Sequence, residues 1–233
     1  MSNPLMTVGS LFSGIGGLDL GLERAGMRVI WQSEIDPYSS RVLAKHWPDT
    51  PNLGNVKEIN WHDTPRPDVI CGGYPCQPFS YAGKRKAEED PRHLFPWVAH
   101  ALRILRPRYA ILENVAGHLT AGFGTVLGTL AAIRYDVQWD VIPAHSVGAP
   151  HRRDRLFIVA MDTDRKGELF GSIFCRPQRE EWLPEPDMGR VDDGIPSRMD
   201  RLRGLGNAVV PQVAEHIGRL VIAHAQQIGA RDV

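Results

Sequence analysis

The amino-acid sequence predicts an α/β fold in which a parallel-rich sheet carries helices on both faces. Short apolar segments alternate with segments of helical periodicity along most of the 233 residues, as in sheets whose strands are joined by crossover helices. Several apolar segments stop at glycine-rich or polar turns, where such sheets bind their ligands. Residues 162–197 carry prolines and glycines without periodicity, so we predict a short loop-rich insertion there.

The N-terminal half alternates three strands with two helices. Residues 7–12 are apolar and stop at the turn SGIGG, and the leucines that follow predict a helix ended by Gly26. A second strand precedes a second helix, and a third strand runs into the segment GGYPCQPFS. The predicted strands are 7–12, 27–31 and 68–71, and the predicted helices are 18–25 and 37–46.

The C-terminal half continues this alternation up to the insertion. Helical periodicity returns after GGYPCQPFS, and one amphipathic helix follows the segment GLGNAVVP near the end. The predicted strands are 109–112, 137–142 and 156–161, and the predicted helices are 95–105, 125–133 and 209–226. We therefore divide the chain into a main domain (1–161), the insertion (162–197) and a C-terminal segment (198–233) that returns to the main domain.

The composition argues against membrane, disulfide-rich and zinc-binding proteins. No apolar run approaches the roughly 20 residues of a membrane span, and the start MSNPLMTVGSLF lacks the basic stretch of a signal peptide. Three cysteines, Cys71, Cys76 and Cys175, are an odd and sparse set without metal-ligand spacing. We expect a cytoplasmic protein with no metal site.

Any nucleic-acid contact must be local, because the formal net charge is zero. Basic side chains cluster at three places, and each cluster fits either a solvated surface or a phosphate-binding face. The clusters are 84–86, the three arginines at 152, 153 and 155, and the three at 198, 201 and 203.

A glycine-rich loop follows the first strand. Glycines between a strand and a helix let the backbone approach a ligand closely, but Asp19 stands where a dinucleotide fingerprint has its third glycine. Glu34, at the end of the second strand, has the position of an acid that accepts hydrogen bonds from ribose hydroxyls. These residues fit a nucleoside cofactor site, and they fit equally a tight turn followed by a helix-capping acid.

Cys76 lies at the predicted carboxyl end of the third strand, in Pro-Cys-Gln. Taken alone, it fits a buried cysteine beside a proline turn. However, the chain carries further segments in a fixed order: LFSGIGG, Glu34, GGYPCQPFS, the ENV of 113–115, Arg153-x-Arg155 and GNAVVP. Taken together and in this order, these segments resemble the DNA (cytosine-5-)-methyltransferase family.

This resemblance implies a Rossmann-like methyltransferase sheet that transfers a methyl group from S-adenosylmethionine to carbon 5 of a cytosine flipped out of double-stranded DNA. Cys76 would be the nucleophile that adds to carbon 6 of the base. Glu113 would hydrogen-bond N3 and the exocyclic amine, and Arg153 and Arg155 would form the family's arginine pair, with Arg155 at the base O2. Residues 1–161 would then be the catalytic and cofactor-binding domain.

The resemblance also implies a set of cofactor contacts. Phe12 would pack on adenine, Gly14 and Gly16 would border the methionine part, and Glu34 would hold the ribose. Asn207 and Val209 would close the site from the last helix, which would return to pack on the first strand. Asn55 stands where the family often has an aspartate near the adenine amine, and its carbonyl can accept the same hydrogen bond.

Two other departures from the family pattern concern DNA binding. His151 replaces the usual glutamine two residues before Arg153, and the insertion is very short for a target-recognition region. Between residues 162 and 193 it carries nine acids and five bases, which suits phosphate neutralisation poorly. We therefore expect weak sequence reading by this chain, which we take to be a monomer, and consider a separate specificity partner.

Other functions stay open at this point. An RNA (tRNA) cytosine-5 methyltransferase would share these motifs, and a non-catalytic protein would share the fold. A nucleotide-dependent oxidoreductase is disfavoured by Asp19. In a bacterial or phage-infected cell the biological role would be in a restriction-modification system, in phage self-protection or in regulation.

Overall fold

The structure, a computed structural model, describes residues 5–75, 94–164, 173–174 and 198–229. Its centre is a six-stranded sheet with the strand order β2-β1-β3-β4-β6-β5. The strands are β1 (Thr7–Leu11), β2 (Arg28–Ser33), β3 (Val69–Gly73), β4 (Tyr109–Val115), β5 (Tyr135–Pro143) and β6 (Asp154–Asp162). All six predicted strands are confirmed, with ends that differ by up to two or three residues.

Five of the six strands point in one direction, and β6 alone runs against them. β1 pairs in parallel with β2 and β3, and β3 pairs in parallel with β4. β6 runs antiparallel to both β4 and β5. A parallel connection needs a crossover of about a dozen residues or more. Because only residues 144–153 join β5 to β6, β6 returns antiparallel beside β5.

Six α-helices accompany the sheet in the described part of the chain. They are α1 (Gly17–Arg24), α2 (Pro37–His46), α3 (Phe95–Leu105), α4 (Phe123–Ala132), α5 (Arg198–Asn207) and α6 (Pro211–Gly229). Five were predicted. The sequence did not predict α5, because RMDRLRGLGN contains two glycines and no regular apolar period.

Alternating side chains of the strands form two separate cores, one on each face. Ile111 and Val159 pack with α1 and α6, whereas Leu112 and Ile158 pack with α3 and α4. Because neighbouring strand residues point to opposite faces, one apolar strand serves both cores. The predicted helices on both faces of the sheet are therefore confirmed.

The last helix returns to the main domain and packs closely against α1. It shares the first core with Val8 of β1, and a close backbone approach lies at Gly21 of α1. A Cβ atom on Gly21 would lie 2.3 Å from the Pro211 carbonyl oxygen and 2.5 Å from the Ala214 Cβ. Only glycine allows the two helices to come this close.

We expect Gly21→Ala to lower the free energy of unfolding by about 1–3 kcal/mol, because the added methyl group meets backbone that cannot move independently. Gly128→Ala in α4 is the matched control, since its Cβ would have nothing within 4 Å. That control should stabilise the protein by about 0.5–1 kcal/mol, the usual gain of alanine over glycine in a helix. Urea unfolding measures both, and equal effects would contradict the close helix contact.

The first residues of the predicted insertion belong to the main domain by contact. Asp162 is buried and forms an ion pair with Arg106, and Asp164 pairs with both Arg106 and Arg134. These two carboxylates are therefore neutralised within the protein. The excess of acids that the sequence predicts for residues 162–193 is correspondingly smaller outside this network.

Among the described residues, no helix has both the length and the apolar character needed to cross a bilayer.

Candidate functional site

Several predicted site residues lie at the carboxyl ends of four parallel strands, on one edge of the sheet. The glycine-rich loop follows β1, Glu34 follows β2, Pro75 follows β3, and Glu113 lies near the end of β4. Carboxyl ends of parallel strands form the ligand-binding crevice of open α/β sheets. The fold thus brings the predicted cofactor loop and the predicted catalytic acid to one side of the molecule.

Glu34 ties the glycine-rich loop to the start of α2. The Gly14 N–H donates to its Oε2 at 2.8 Å, and the N–H groups of Ile35 and Asp36 donate to its Oε1 at 2.9 and 2.7 Å. The cap of α2 is Asp36, whose carboxylate accepts the Ser39 N–H at 2.8 Å. Glu34 is therefore not the helix-capping acid, which was one of the two interpretations open from sequence.

Asn52 is a residue of this site that the sequence analysis missed. Its Oδ1 accepts the Glu34 N–H at 2.9 Å and the Gly54 N–H at 3.1 Å, while its Nδ2 donates to the Glu34 carbonyl at 3.0 Å. Asn55, three residues on, donates to Glu58 Oε1 at 2.7 Å and accepts the Lys57 N–H at 3.2 Å. Asn52 thus fixes the distance between Glu34 and the loop that carries Asn55.

The glycine-rich loop meets the segment after α5. A Cβ atom on Gly17 would lie 2.5 Å from the Val209 carbonyl oxygen, so the two backbones touch. A cavity of about 610 Å³ opens beside this contact, and Gly16, Val209 and Trp47 are among its lining residues. Of the other predicted cofactor contacts, Phe12, Gly14, Glu34, Asn55 and Asn207 do not line it.

The backbone of the glycine-rich loop depends on glycine at two positions. Gly14 and Gly16 have φ angles of +56° and +84°, which residues other than glycine rarely adopt. A Cβ on Gly14 would meet only the Phe12 carbonyl oxygen, at 4.0 Å, so open space lies over the loop. The Glu34 carboxylate lies beside this space, where it accepts the Gly14 N–H.

Glu113 is buried beside a cation. Arg155 Nε lies 3.0 Å from Glu113 Oε1, and only 9% of Glu113 is exposed. Burial raises the pKa of Glu113 to about 7, against the opposing effect of the Arg155 and Arg153 charges. Glu113 Oε2 lies 2.8 Å from where a Cβ on Gly73 would stand, so the glycine at the end of β3 makes room for the carboxylate.

Cys76 itself lies outside the described residues, which stop at Pro75 and resume at Leu94. The strand end that leads to it is well defined. Asn114 Nδ2 donates to the Tyr74 carbonyl at 3.1 Å, and the buried Tyr74 ring packs against Phe95 with centroids 5.0 Å apart. The chain therefore leaves β3 next to the Glu113 carboxylate, three residues before Cys76.

The two arginines of the predicted pair make different contacts. Arg155 pairs with Glu113, whereas Arg153 Nη2 donates to the carbonyl oxygens of Gly206 and Ala208, each at 2.7 Å. Arg153 has a φ angle of +36°, and its neighbour His151 lines the same cavity. Arg155 therefore contacts the acid, whereas Arg153 contacts the end of α5 and the first residue after it.

Asp19 lies fully buried beneath the glycine-rich loop. Gln32 Nε2 donates to its Oδ1 at 2.8 Å and Ser10 Oγ donates to its Oδ2 at 3.0 Å. Burial nevertheless raises the pKa of Asp19 to about 6. The residue that argues against a dinucleotide fingerprint therefore links β1, α1 and β2 below the loop.

We expect Asp19→Asn to gain stability relative to the native chain as pH rises from 4 to 6. The folded-state pKa of about 6 lies above the ordinary value of 3.8, so ionisation opposes folding and the native protein loses stability through this interval. The relative gain should reach about 3 kcal/mol at pH 7. Denaturant titrations at pH 4, 5, 6 and 7 measure it, and a constant difference between the two proteins would contradict a buried, raised carboxyl.

No group of three or more histidine, cysteine, aspartate or glutamate side chains that could hold a metal ion occurs in the part of the chain that the structure describes.

The chain is similar in sequence to proteins of one described family. Residues 6–190 match the family described as C-5 cytosine-specific DNA methylase. The chain is 35% identical to Type II methyltransferase M.BsuFI of Bacillus subtilis over 164 residues, covering 68% of this chain and 40% of that protein. It is 33% identical to M.NlaIV of Neisseria lactamica over 207 residues, covering 80% of this chain and 46% of that protein.

A solved structure supports the fold. The Entamoeba histolytica methyltransferase EhMeth matches with a TM-score of 0.62 at 24% identity, over 77% of this chain and 58% of that chain. The predicted Rossmann-like methyltransferase sheet is confirmed. The chain spans less than half the length of the two Type II methyltransferases.

Proposed function

The chain belongs to the C-5 cytosine-specific DNA methylase family, and from this premise we propose that it transfers a methyl group from S-adenosylmethionine to carbon 5 of cytosine in double-stranded DNA. The single observation that carries the proposal is the buried Glu113 carboxyl, paired with Arg155 and adjacent to the strand end that leads to Cys76. A base that enters beside Glu113 meets an acid and a cation, and we assign the nucleophilic thiol to Cys76.

The chemistry requires a covalent step, because carbon 5 of cytosine is a poor nucleophile. The Cys76 thiolate adds to carbon 6 while N3 accepts a proton, and the resulting enamine is nucleophilic at carbon 5. Bound S-adenosylmethionine would supply an electrophilic methyl group to carbon 5, with S-adenosylhomocysteine as the leaving group. Loss of the carbon 5 proton and of the Cys76 sulfur then restores the aromatic ring. The base must be flipped out of the duplex for a thiol to reach its face.

Glu113 and Arg155 have different proposed roles in activating the base. With a pKa of about 7, Glu113 holds a proton for an appreciable fraction of time at neutral pH and can hydrogen-bond N3 as the thiolate adds. Arg155 lies within 3.0 Å of the same carboxyl, where its charge can favour the thiolate of Cys76 over the thiol, whose ordinary pKa is about 8.5. We also assign the base O2 to Arg155, as the family resemblance implies.

The cofactor residues are proposed as follows. Glu34 holds the ribose, Phe12 packs on the adenine and Asn55 accepts from its amine, while the remaining contacts border the methionine part: Gly14, Gly16, Asn207 and Val209. Three N–H groups already occupy the Glu34 carboxylate, which has about four acceptor directions. A ribose that engages Glu34 through both hydroxyls must therefore displace one bond, and the Gly14 N–H at the rim of the loop is the one we assign.

We also propose that sequence reading depends on a separate specificity partner. The chain spans 40% and 46% of two Type II methyltransferases, and its insertion is short and acidic. Phosphate contacts position DNA without reading it, so the basic clusters of the catalytic domain cannot replace a recognition region. We take the chain to be a monomer when alone, acting in the cytoplasm of a bacterial or phage-infected cell.

We expect the chain to form a covalent complex with duplex DNA that contains 5-fluorocytosine. Fluorine cannot leave carbon 5 as a proton does, so the Cys76 adduct stalls. A denaturing gel should show a shifted band that requires S-adenosylmethionine, with unmodified duplex as the control. The same assay with fluorinated tRNA tests the RNA alternative, and a band with tRNA but none with DNA would contradict the proposed substrate.

Target specificity needs a second measurement. Bisulfite sequencing of DNA from cells that express this chain alone should show sparse or degenerate methylation, because few bidentate base contacts are available. Sharply defined methylation at a site of about six base pairs or more would contradict the need for a specificity partner.

A further inference from the structure

We propose that Arg153 is a positioning residue of the cofactor site, which holds the loop around Asn207 instead of contacting a DNA phosphate or the target base. The inference rests on the function proposed above. It also separates the two members of the arginine pair: Arg155 serves the base, and Arg153 serves the cofactor.

The contacts of Arg153 enclose the loop that we assign to the cofactor. One guanidinium nitrogen, Nη2, donates to the carbonyls of Gly206 and Ala208 at 2.7 Å each. The Gly206 carbonyl belongs to the peptide that leads into Asn207, and the Ala208 carbonyl belongs to the peptide that leads into Val209. A single cation thus holds the peptide group before each of these two proposed cofactor residues.

The carbonyls that Arg153 binds need such a partner. α5 ends at Asn207, and the last carbonyls of a helix have no partner within the helix. A cation at this end also complements the negative pole of the helix dipole. The Ala208 N–H closes the last turn of α5 by donating to the Gly204 carbonyl at 3.0 Å, which leaves the Gly206 carbonyl directed to Arg153.

The backbone at Arg153 is bent to make this contact. Its φ of +36° lies in a region that residues other than glycine rarely adopt. Such strain persists where the surroundings determine the conformation, and it often marks a functional site. β6 begins one residue later at Asp154, so the bend separates the side chain of Arg153 from that of Arg155 in the strand.

Arg153 also lies beside the glycine-rich loop. It lines the cavity next to that loop, together with Ala208 and Val209. Its charge helps to lower the pKa of Glu113, as does the charge of Arg155, but its hydrogen bonds go to the Gly206 and Ala208 carbonyls. The contacts of Arg153 therefore lie on the side of the proposed cofactor residues.

The test compares Arg153→Ala with Arg152→Ala. Arg152 has the same charge, is 79% exposed and pairs only locally with Asp154, so it controls for the lost positive charge. In the protein without cofactor or DNA, hydrogen exchange of residues 204–210 should accelerate in Arg153→Ala and stay native in Arg152→Ala. Calorimetry should show S-adenosylmethionine binding weakened about tenfold or more in Arg153→Ala, as expected for lost charge-assisted hydrogen bonds.

Kinetics distinguish a positioning role from the alternatives. At saturating S-adenosylmethionine, kcat of Arg153→Ala should lie within about threefold of native, with the loss confined to the cofactor KM. Native cofactor affinity with a shallower salt dependence of DNA binding would make Arg153 a phosphate contact and overturn the inference. A kcat loss with native cofactor KM would make it a base contact and would overturn it too.

Two further results complete the test. If Arg153→Ala does not fold, Arg153→Lys keeps the charge but not the fork of donors, and it should show an intermediate loss of cofactor affinity; native affinity would overturn the inference. If the native chain binds no S-adenosylmethionine while exchange at 204–210 still responds to Arg153→Ala, the proposed function fails and the loop contact is supported.

Discussion

Cys76→Ser should abolish methyl transfer while cofactor binding stays native. A serine hydroxyl at neutral pH is too weak a nucleophile to add to carbon 6, so the rate should fall at least about a thousandfold, as in other nucleophile deletions. The cofactor contacts that we propose lie on other segments, so its affinity should not change. Transfer of tritiated methyl to duplex DNA measures the first effect, and calorimetry with S-adenosylmethionine measures the second.

The control for this variant is the cysteine in the core. Cys71 is fully buried in β3, and burial raises the pKa of its thiol well above the ordinary value, so it cannot act as a thiolate nucleophile. Cys71→Ala should therefore keep methyl transfer, although it removes core volume. Substantial activity in Cys76→Ser, or loss of activity only in Cys71→Ala, would rule out the covalent role of Cys76.

Glu113→Gln should lower kcat/KM about 10²- to 10⁴-fold, the usual contribution of a positioned general acid. The amide keeps the shape of the side chain and a hydrogen-bond donor but has no acidic proton for N3. Glu215→Gln is a suitable control, since that carboxylate forms an exposed pair with Arg219 on α6 and should leave activity native. A Glu113→Gln variant with native rates would remove Glu113 from the reaction.

The pH dependence gives a second signature of Glu113. Its folded-state pKa of about 7 exceeds the ordinary 4.5, so the protonated form persists to neutral pH and is lost above it. Native kcat/KM should decline above about pH 7 for this reason, and Glu113→Gln should lack that decline. Because ionising a raised acid opposes folding, native stability should also fall between pH 4.5 and 7, and Glu113→Gln should lack this part of the loss.

Local chemistry made much of the fold predictable. The helix of residues 37–46 is confirmed at both ends, since Asp36 caps it and Pro37 suits the first helical turn. The six strands follow from short apolar runs, and α6 follows from its amphipathic period. These signals depend on near neighbours in the chain, which is why they can be read without the tertiary structure.

Features that depend on contacts between distant parts of the chain were not predictable from the sequence. The antiparallel direction of β6 reflects a connection too short for a crossover, and α5 forms without an apolar period of its own. In the sequence, Asp19 only replaces the third glycine of a dinucleotide fingerprint. The packing shows that it is buried between Ser10 and Gln32. Asn52 gave no signal at all, because its partners around Glu34 lie 18 residues away.

The sequence by itself determined the family motifs, their order and therefore the class of chemistry that we propose, with Cys76, Glu113 and Arg155 as its agents. The tertiary structure alone decided how two arginines with one residue between them divide their contacts. Arg155 meets Glu113 because β4 and β6 pair antiparallel, whereas Arg153 meets carbonyls 53 and 55 residues away. Spacing along a chain specifies which side chains are neighbours in an element, but sheet pairing and loop return specify which groups they touch.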